Sequence, residues 1–261
     1  MKINKVLAIT LYRRQDTQLF ECLRKCYGIE DYHIFISCDH NDEYRDACLE
    51  TQEVAHRFAS EHGMGKTTIL INNPRLGIDR NKMFLLPIAF EMSDFVVFLE
   101  DDTLPSSDAL RYFEFCGQKF RTDRSVMSVS GFNRYLESET HERILREEAY
   151  AIDRGIGFCP WGWGMWKDRY ARIMGDGKAY EDRWGVEVNG RFDWWFTEMA
   201  KTSEEPLYSI YPVLPRTNHV GADRAEHTPS KEWLMEHEFA PYGAWTQEMQ
   251  DPVTDLWYTK F

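Results

Sequence analysis

The chain has 261 residues, 43% of them hydrophobic and 15% aromatic, enough to bury the core of one large α/β domain or two small ones. A formal net charge of −12 excludes a binder of the nucleic-acid backbone, which needs a basic face. No run approaches the roughly 18 to 20 apolar residues of a membrane span, so no transmembrane segment is expected. Six cysteines (Cys22, Cys26, Cys38, Cys48, Cys116, Cys159) form no CxxC pair, which predicts reduced core thiols and a cytoplasmic setting.

In chain order, residues 5–11 (KVLAITL) read as a strand. Residues 16–27 read as an amphipathic helix with Leu19, Phe20, Leu23 and Cys26 on one face. A second strand at 32–38 ends at Asp39, a long helix covers 42–62, and a short strand covers 67–71. Gly63 to Thr68 (GMGKTT) ends like a phosphate-binding P-loop, but Ser60 stands where that loop needs its first glycine. It also follows a helix and opens a strand, the reverse of the P-loop order, so it reads as a glycine turn. The helix predicted at 79–92 is broken or kinked by Pro87.

The next strand carries the chemistry. Asp94-Phe95-Val96-Val97-Phe98-Leu99 is apolar on both faces, as in the centre of a parallel sheet, and it stops at Glu100-Asp101-Asp102. About one acidic triplet is expected by chance in so acidic a chain, so placement is the signal. Open α/β sheets bind ligands at their carboxyl ends, and clustered carboxylates repel one another unless a cation joins them. A helix at 107–120, capped by Ser106 or Ser107, and a strand at 125–130 follow. This alternation predicts an α/β fold with a mostly parallel central sheet and flanking helices. Beyond Asn133 the chain turns rich in Trp and Gly, which predicts loops folded over the sheet's carboxyl edge. The expected organisation is one domain with two functional halves, 1–131 and 132–261.

Other segments add candidate groups. Around Gly77, the basic residues Arg75, Arg80 and Lys82 lie at a strand-to-helix junction, which is legible either as a helix cap or as a diphosphate cradle. Residues 158–166 (FCPWGWGMW) interleave Trp and Gly, and read either as a packed core loop or as flat faces for a sugar. Asp193 opens a helix predicted at 190–201 and lies beside bulky aromatics, either as a dipole-favoured acid or as a general base. His219 follows an apolar segment at 207–214, and is either structural or a partner for Mn²⁺.

In this order the segments resemble those of GT-A-fold nucleotide-sugar glycosyltransferases. The resemblance is nearest to the inverting β-N-acetylglucosaminyltransferases that act on α-mannose in N-glycans and O-mannosyl glycans. Glu100-Asp101-Asp102, Val129-Ser130, Pro160 to Trp166, Phe192-Asp193-Trp194 and Arg216 to Gly221 carry it, across roughly residues 3 to 228. Phe192 stands where that family has an additional acid.

The resemblance implies a metal-dependent inverting transfer from a nucleoside-diphosphate sugar, UDP-GlcNAc first, to a carbohydrate or glycoconjugate acceptor. It implies Asp102 and His219 as contacts for Mn²⁺ or Mg²⁺ and Asp193 as the base. Asp39, Arg80, Glu100, Asp101 and Trp163 are then the expected nucleotide-sugar contacts, with Asp39 at the nucleobase. Two other classes compete: a nucleotidyltransferase, which needs a glycine-rich basic loop where this chain has Tyr12 to Asp16, and a carbohydrate-binding module, which has no use for the acidic triplet.

Overall fold

The structure, a computed structural model, describes residues 4–15, 17–63, 65–133, 137–185, 190–220 and 258–259. In chain order the elements are β1 (Val6–Leu11), α1 (Gln18–Arg24), β2 (His33–Asp39), α2 (Arg45–His62), β3 (Thr67–Asn72), α3 (Ile78–Phe90), β4 (Phe95–Glu100) and β5 (Thr103–Pro105). They continue with α4 (Ala109–Lys119), β6 (Val126–Ser130), α5 (Glu137–Leu145), β7 (Ala151–Ile156), β8 (Trp163–Trp166), α6 (Lys167–Met174) and α7 (Lys178–Trp184). The last are α8 (Phe192–Thr202), β9 (Tyr208–Pro212), β10 (Thr217–His219) and β11 (Tyr258–Thr259).

Strand side chains alternate between the two faces of a sheet, and the sequence uses both. Leu7, Ile9, Leu11, Ile34, Ile36, Val97 and Leu99 pack on one side against α1, α2 and α4. Val6, Ala8, Phe35, Val96 and Phe98 pack on the other against α3, α6 and α8. The result is the predicted three-layer α/β architecture.

The main sheet has nine strands in the order β11-β7-β9-β6-β8-β4-β1-β2-β3. Strands β4, β1, β2 and β3 run parallel, whereas β8 lies antiparallel between β4 and β6. The chain winds outward from β1 through β2 to β3 and then returns to β4 on the other side of β1. That reversal opens a crevice between the carboxyl ends of β1 and β4, where such sheets bind ligands.

Three local expectations are corrected. Helix α3 runs unbroken through Pro87, because buried Leu85, Leu86, Ala89 and Phe90 hold it against the sheet despite the lost hydrogen bond. Neither Ser106 nor Ser107 supplies a side-chain cap to α4. Its N-cap residue is Asp108, whose carboxylate is engaged elsewhere, accepting from Ser106 Oγ at 2.6 Å and pairing with Arg216.

The third correction is that the second half of the Trp-Gly segment is strand β8. A side chain at Gly164 would stand 2.4 Å from Phe95, so glycine is what lets this strand lie between β4 and β6. All six cysteines are buried free thiols. Among the described residues no helix is long and apolar enough to cross a membrane.

Candidate active site

The crevice is lined from both strand ends. Thr10 of β1 pairs with Glu100 of β4, and one step beyond, the Tyr12 N–H donates to Asp101 Oδ2 at 2.8 Å. Arg14, in the loop after β1, places Nη2 3.7 Å from both Asp101 Oδ1 and Asp102 Oδ2. Burial, then the neighbouring Asp102 charge, pushes the Asp101 carboxyl up to about 8. Burial also favours the protonated form of Asp102, yet the His219 hydrogen bond and the Arg14 charge hold its carboxyl below the ordinary value.

His219 reaches Asp102 through a two-stranded clasp. Strand β10 runs antiparallel to β5, pairing His219 with Thr103, and the Val220 N–H donates to the Asp102 carbonyl at 2.9 Å. His219 Nε2 then lies 3.2 Å from Asp102 Oδ2, while Asp102 Oδ1 and His219 Nδ1 are buried without a hydrogen-bond partner. Trp161 stacks on the imidazole, with ring centroids 4.7 Å apart.

The clasp is seated by close packing and by one buried ion pair. A Cβ at either Gly131 or Gly162 would meet Thr217 Cγ2 at 2.6 Å, and Gly162 has φ +81°, which favours glycine. Thr217 Oγ1 donates to the Trp161 carbonyl at 2.6 Å. Just before it, Arg216 Nε lies 2.9 Å from Asp108 Oδ2, both side chains being almost wholly buried. Arg216→Met would strand the Asp108 charge, so a stability loss of about 3–5 kcal/mol is expected by urea denaturation. Adding Asp108→Leu removes the stranded charge and should recover most of that loss.

The opposite wall comes from α3 and α8. Lys82 is buried in an ion pair with Glu100, its ammonium 5.5 Å from the centroid of the Phe192 ring. Burial alone would lower the Lys82 pKa; Glu100, Asp79 and Asp193 raise it above its ordinary value. Asp193 thus acts by charge on the ammonium that holds Glu100. Asp79 Oδ2 accepts from Tyr180 Oη at 2.6 Å and from the Arg191 N–H at 2.9 Å, tying the start of α8 to α3 and α7.

Sequence expectations and placements differ at three residues. Asp39 faces inward. Its Oδ1 accepts from Asn72 Nδ2 at 2.9 Å and Leu76 N at 3.3 Å, and its Oδ2 from Gly77 N at 2.8 Å, so it shapes the turn before α3. Burial raises its carboxyl above the ordinary range. Arg80 is exposed, 3.9 Å from Glu181 on α7, and Lys82 two positions on is the basic residue of α3 that pairs with Glu100. A helix advances about 100° per residue, so these two cannot share a face.

Trp163 is fully buried, stacked on Phe98 at 5.0 Å between centroids, and Trp161 is the loop tryptophan beside the site. Strand β8 begins at Trp163 and seats it in the core cluster below the sheet, whereas Trp161 precedes the strand. Arg14 and Lys82 complete the charge pattern. The Arg75 guanidinium lies over the Tyr12 ring, 3.9 Å from guanidinium carbon to ring centroid. Gly221, part of the last motif, and Asp16 lie outside the described residues.

These features define a GT-A-type fold with its acidic strand end at the sheet's switch point. The sequence matches no protein-family model and no curated protein. Among solved structures, GalNAc-T7 crystallised with UDP, GalNAc and Mn²⁺ is similar at TM-score 0.57, with 10% identity, covering 83% of this chain and 44% of that one. TarS residues 1–349 from S. aureus is similar at TM-score 0.50, with 12% identity, covering 80% of this chain and 60% of that one. The chain therefore spans less than two thirds of either structure, and at these identities the likeness concerns the fold.

Proposed function

We propose that the protein is a metal-dependent inverting glycosyltransferase that moves a sugar from a nucleoside-diphosphate sugar to a hydroxyl of a carbohydrate or glycoconjugate. The observation that carries this reading is the approach of His219 Nε2 to within 3.2 Å of Asp102 Oδ2 at the switch-point crevice. Two ligand atoms bound side by side to one small divalent cation stand ~3 Å apart, given bonds of ~2.1 Å. Asp102 also keeps a buried, unpartnered Oδ1.

Among the described residues no group of three His, Cys, Asp or Glu side chains converges as a metal cluster. Mn²⁺ or Mg²⁺ shared with substrate phosphates would need only one or two side-chain ligands from the protein. When bound, the ion supplies Lewis-acid stabilisation of the charge growing on the departing diphosphate.

The chain's own residues supply the rest. Asp102 and His219 hold the ion, and Arg14 offers a further positive charge on the same side. Glu100, fixed by Lys82, and Asp101, fixed by the Tyr12 N–H, read donor hydroxyls. Asp39 shapes the turn carrying Arg75, against which a nucleobase would lie.

Asp193 takes the acceptor hydroxyl proton as that oxygen bonds to the anomeric carbon. The bond to the diphosphate breaks on the opposite face, and its electron pair leaves with the nucleoside diphosphate. UDP-GlcNAc is the first donor to test, and the UDP held by GalNAc-T7 in the same fold supports beginning with uridine nucleotides.

A thermal-shift screen of UDP, GDP, CDP and ADP, each with and without Mn²⁺, tests the reading. A specific nucleotide at 100 times its Kd stabilises the fold by about 2.7 kcal/mol. UDP is expected to shift the melting temperature only with Mn²⁺ present, and no shift with any nucleotide would overturn the reading. Transfer from UDP-GlcNAc to a saccharide separates it from a carbohydrate-binding module, and formation of UDP-GlcNAc from UTP and a sugar phosphate would mark a nucleotidyltransferase instead.

A further inference from the structure

Helix α8 buries one face of its first turn and leaves the other exposed. Phe192, Trp195 and Phe196 are buried, the spacing of an inward face, and Asp193 and Trp194 point off it. Trp194 is 60% exposed, whereas Trp163, Trp166 and Trp195 are buried. A lone exposed apolar residue is ordinary, but this one is not lone. The Arg191 guanidinium lies 5.8 Å from the Trp184 ring centroid and 6.0 Å from that of Trp194.

Among the described residues no carboxylate stands within ion-pair distance of that guanidinium. Its backbone is nevertheless fixed, since the Arg191 N–H donates to buried Asp79. The outcome is an indole, a guanidinium and a second indole beside Asp193, in a chain whose net charge is −12.

An indole face suits the C–H face of a pyranose, and a guanidinium fork suits the paired oxygens on its edge. We propose that Trp194 and Arg191 form the acceptor subsite, with the acceptor pyranose stacked on Trp194, so that the acceptor is a saccharide rather than a bare peptide or lipid hydroxyl. This rests on the transferase reading, and places the attacking ring next to the group that takes its proton.

Saturation-transfer NMR with methyl α-D-mannopyranoside, methyl β-D-glucopyranoside and methyl β-D-galactopyranoside, in the presence of UDP and Mn²⁺, tests it. At least one glycoside should receive saturation from the wild-type protein. Trp194→Ala should weaken that glycoside's affinity about five- to tenfold, and Trp194→Phe, which keeps a ring, should restore most of it. The UDP and Mn²⁺ thermal shift of Trp194→Ala reports that the variant is folded.

Transfer to none of the glycosides, or equal affinity in Trp194→Ala, overturns the proposal while the UDP shift stands. Loss of the UDP shift in the wild-type protein overturns the transferase reading itself.

Discussion

Asp102→Asn is expected to abolish the Mn²⁺-dependent stabilisation by UDP and to lower turnover by at least about a hundredfold, the scale seen when one preorganised electrostatic contact to a developing charge is lost. The substitution keeps the size of the side chain, so the clasp that brings His219 to it can still close. What it removes is the carboxylate charge, held below its ordinary pKa by His219 and Arg14 despite burial.

Asp101 cannot take over, because burial still disfavours its ionised form and the Tyr12 N–H occupies one of its oxygens. Glu100 is committed to Lys82. A melting experiment with UDP and increasing Mn²⁺ reads the effect directly. A variant that keeps the full shift would show that the ion is held elsewhere.

The same triplet shows what a sequence can carry. A strand apolar on both faces that ends in acids has one comfortable place in an α/β protein, so the sheet, its flanking helices and the position of Glu100 to Asp102 were legible from pattern alone. Which side chains converge was less so, because convergence depends on facing. Arg80 and Lys82 are two residues apart on one helix and differ in burial and in partner. Trp161 and Trp163 flank one glycine, and the strand that begins at Trp163 sends it into the core while Trp161 remains beside His219. That strand was hidden by its glycines, which read as loop and in fact permit the close approach of Phe95 and Thr217.

Arg14 and Asp108 escaped for another reason. Their partners lie far away in sequence, 88 and 108 positions on in Asp102 and Arg216, and no local pattern marks such a pair. The capping role expected of Ser106 failed on the same account, since tertiary ion pairing set the geometry at the start of α4.

Asp193→Asn should separate the two sides of the reaction. Turnover is expected to fall by about 10² to 10⁴, the usual value of general-base assistance. The UDP and Mn²⁺ thermal shift should remain, because the Asp102 and His219 pair lies at the strand end whereas Asp193 belongs to α8. The placement of α8 does not depend on the Asp193 carboxylate. Asp79 fixes the Arg191 backbone and the Tyr180 hydroxyl, and Phe192 and Trp195 anchor the first turn in the core.

The loss should therefore appear in kcat, in contrast to the donor-binding loss of Asp102→Asn. Burst-free single-turnover kinetics with saturating UDP-GlcNAc would isolate the chemical step. Turnover equal to the wild type would remove Asp193 from proton transfer and with it the argument for inversion, since that stereochemical outcome rests on a base standing on the face of the sugar opposite the diphosphate.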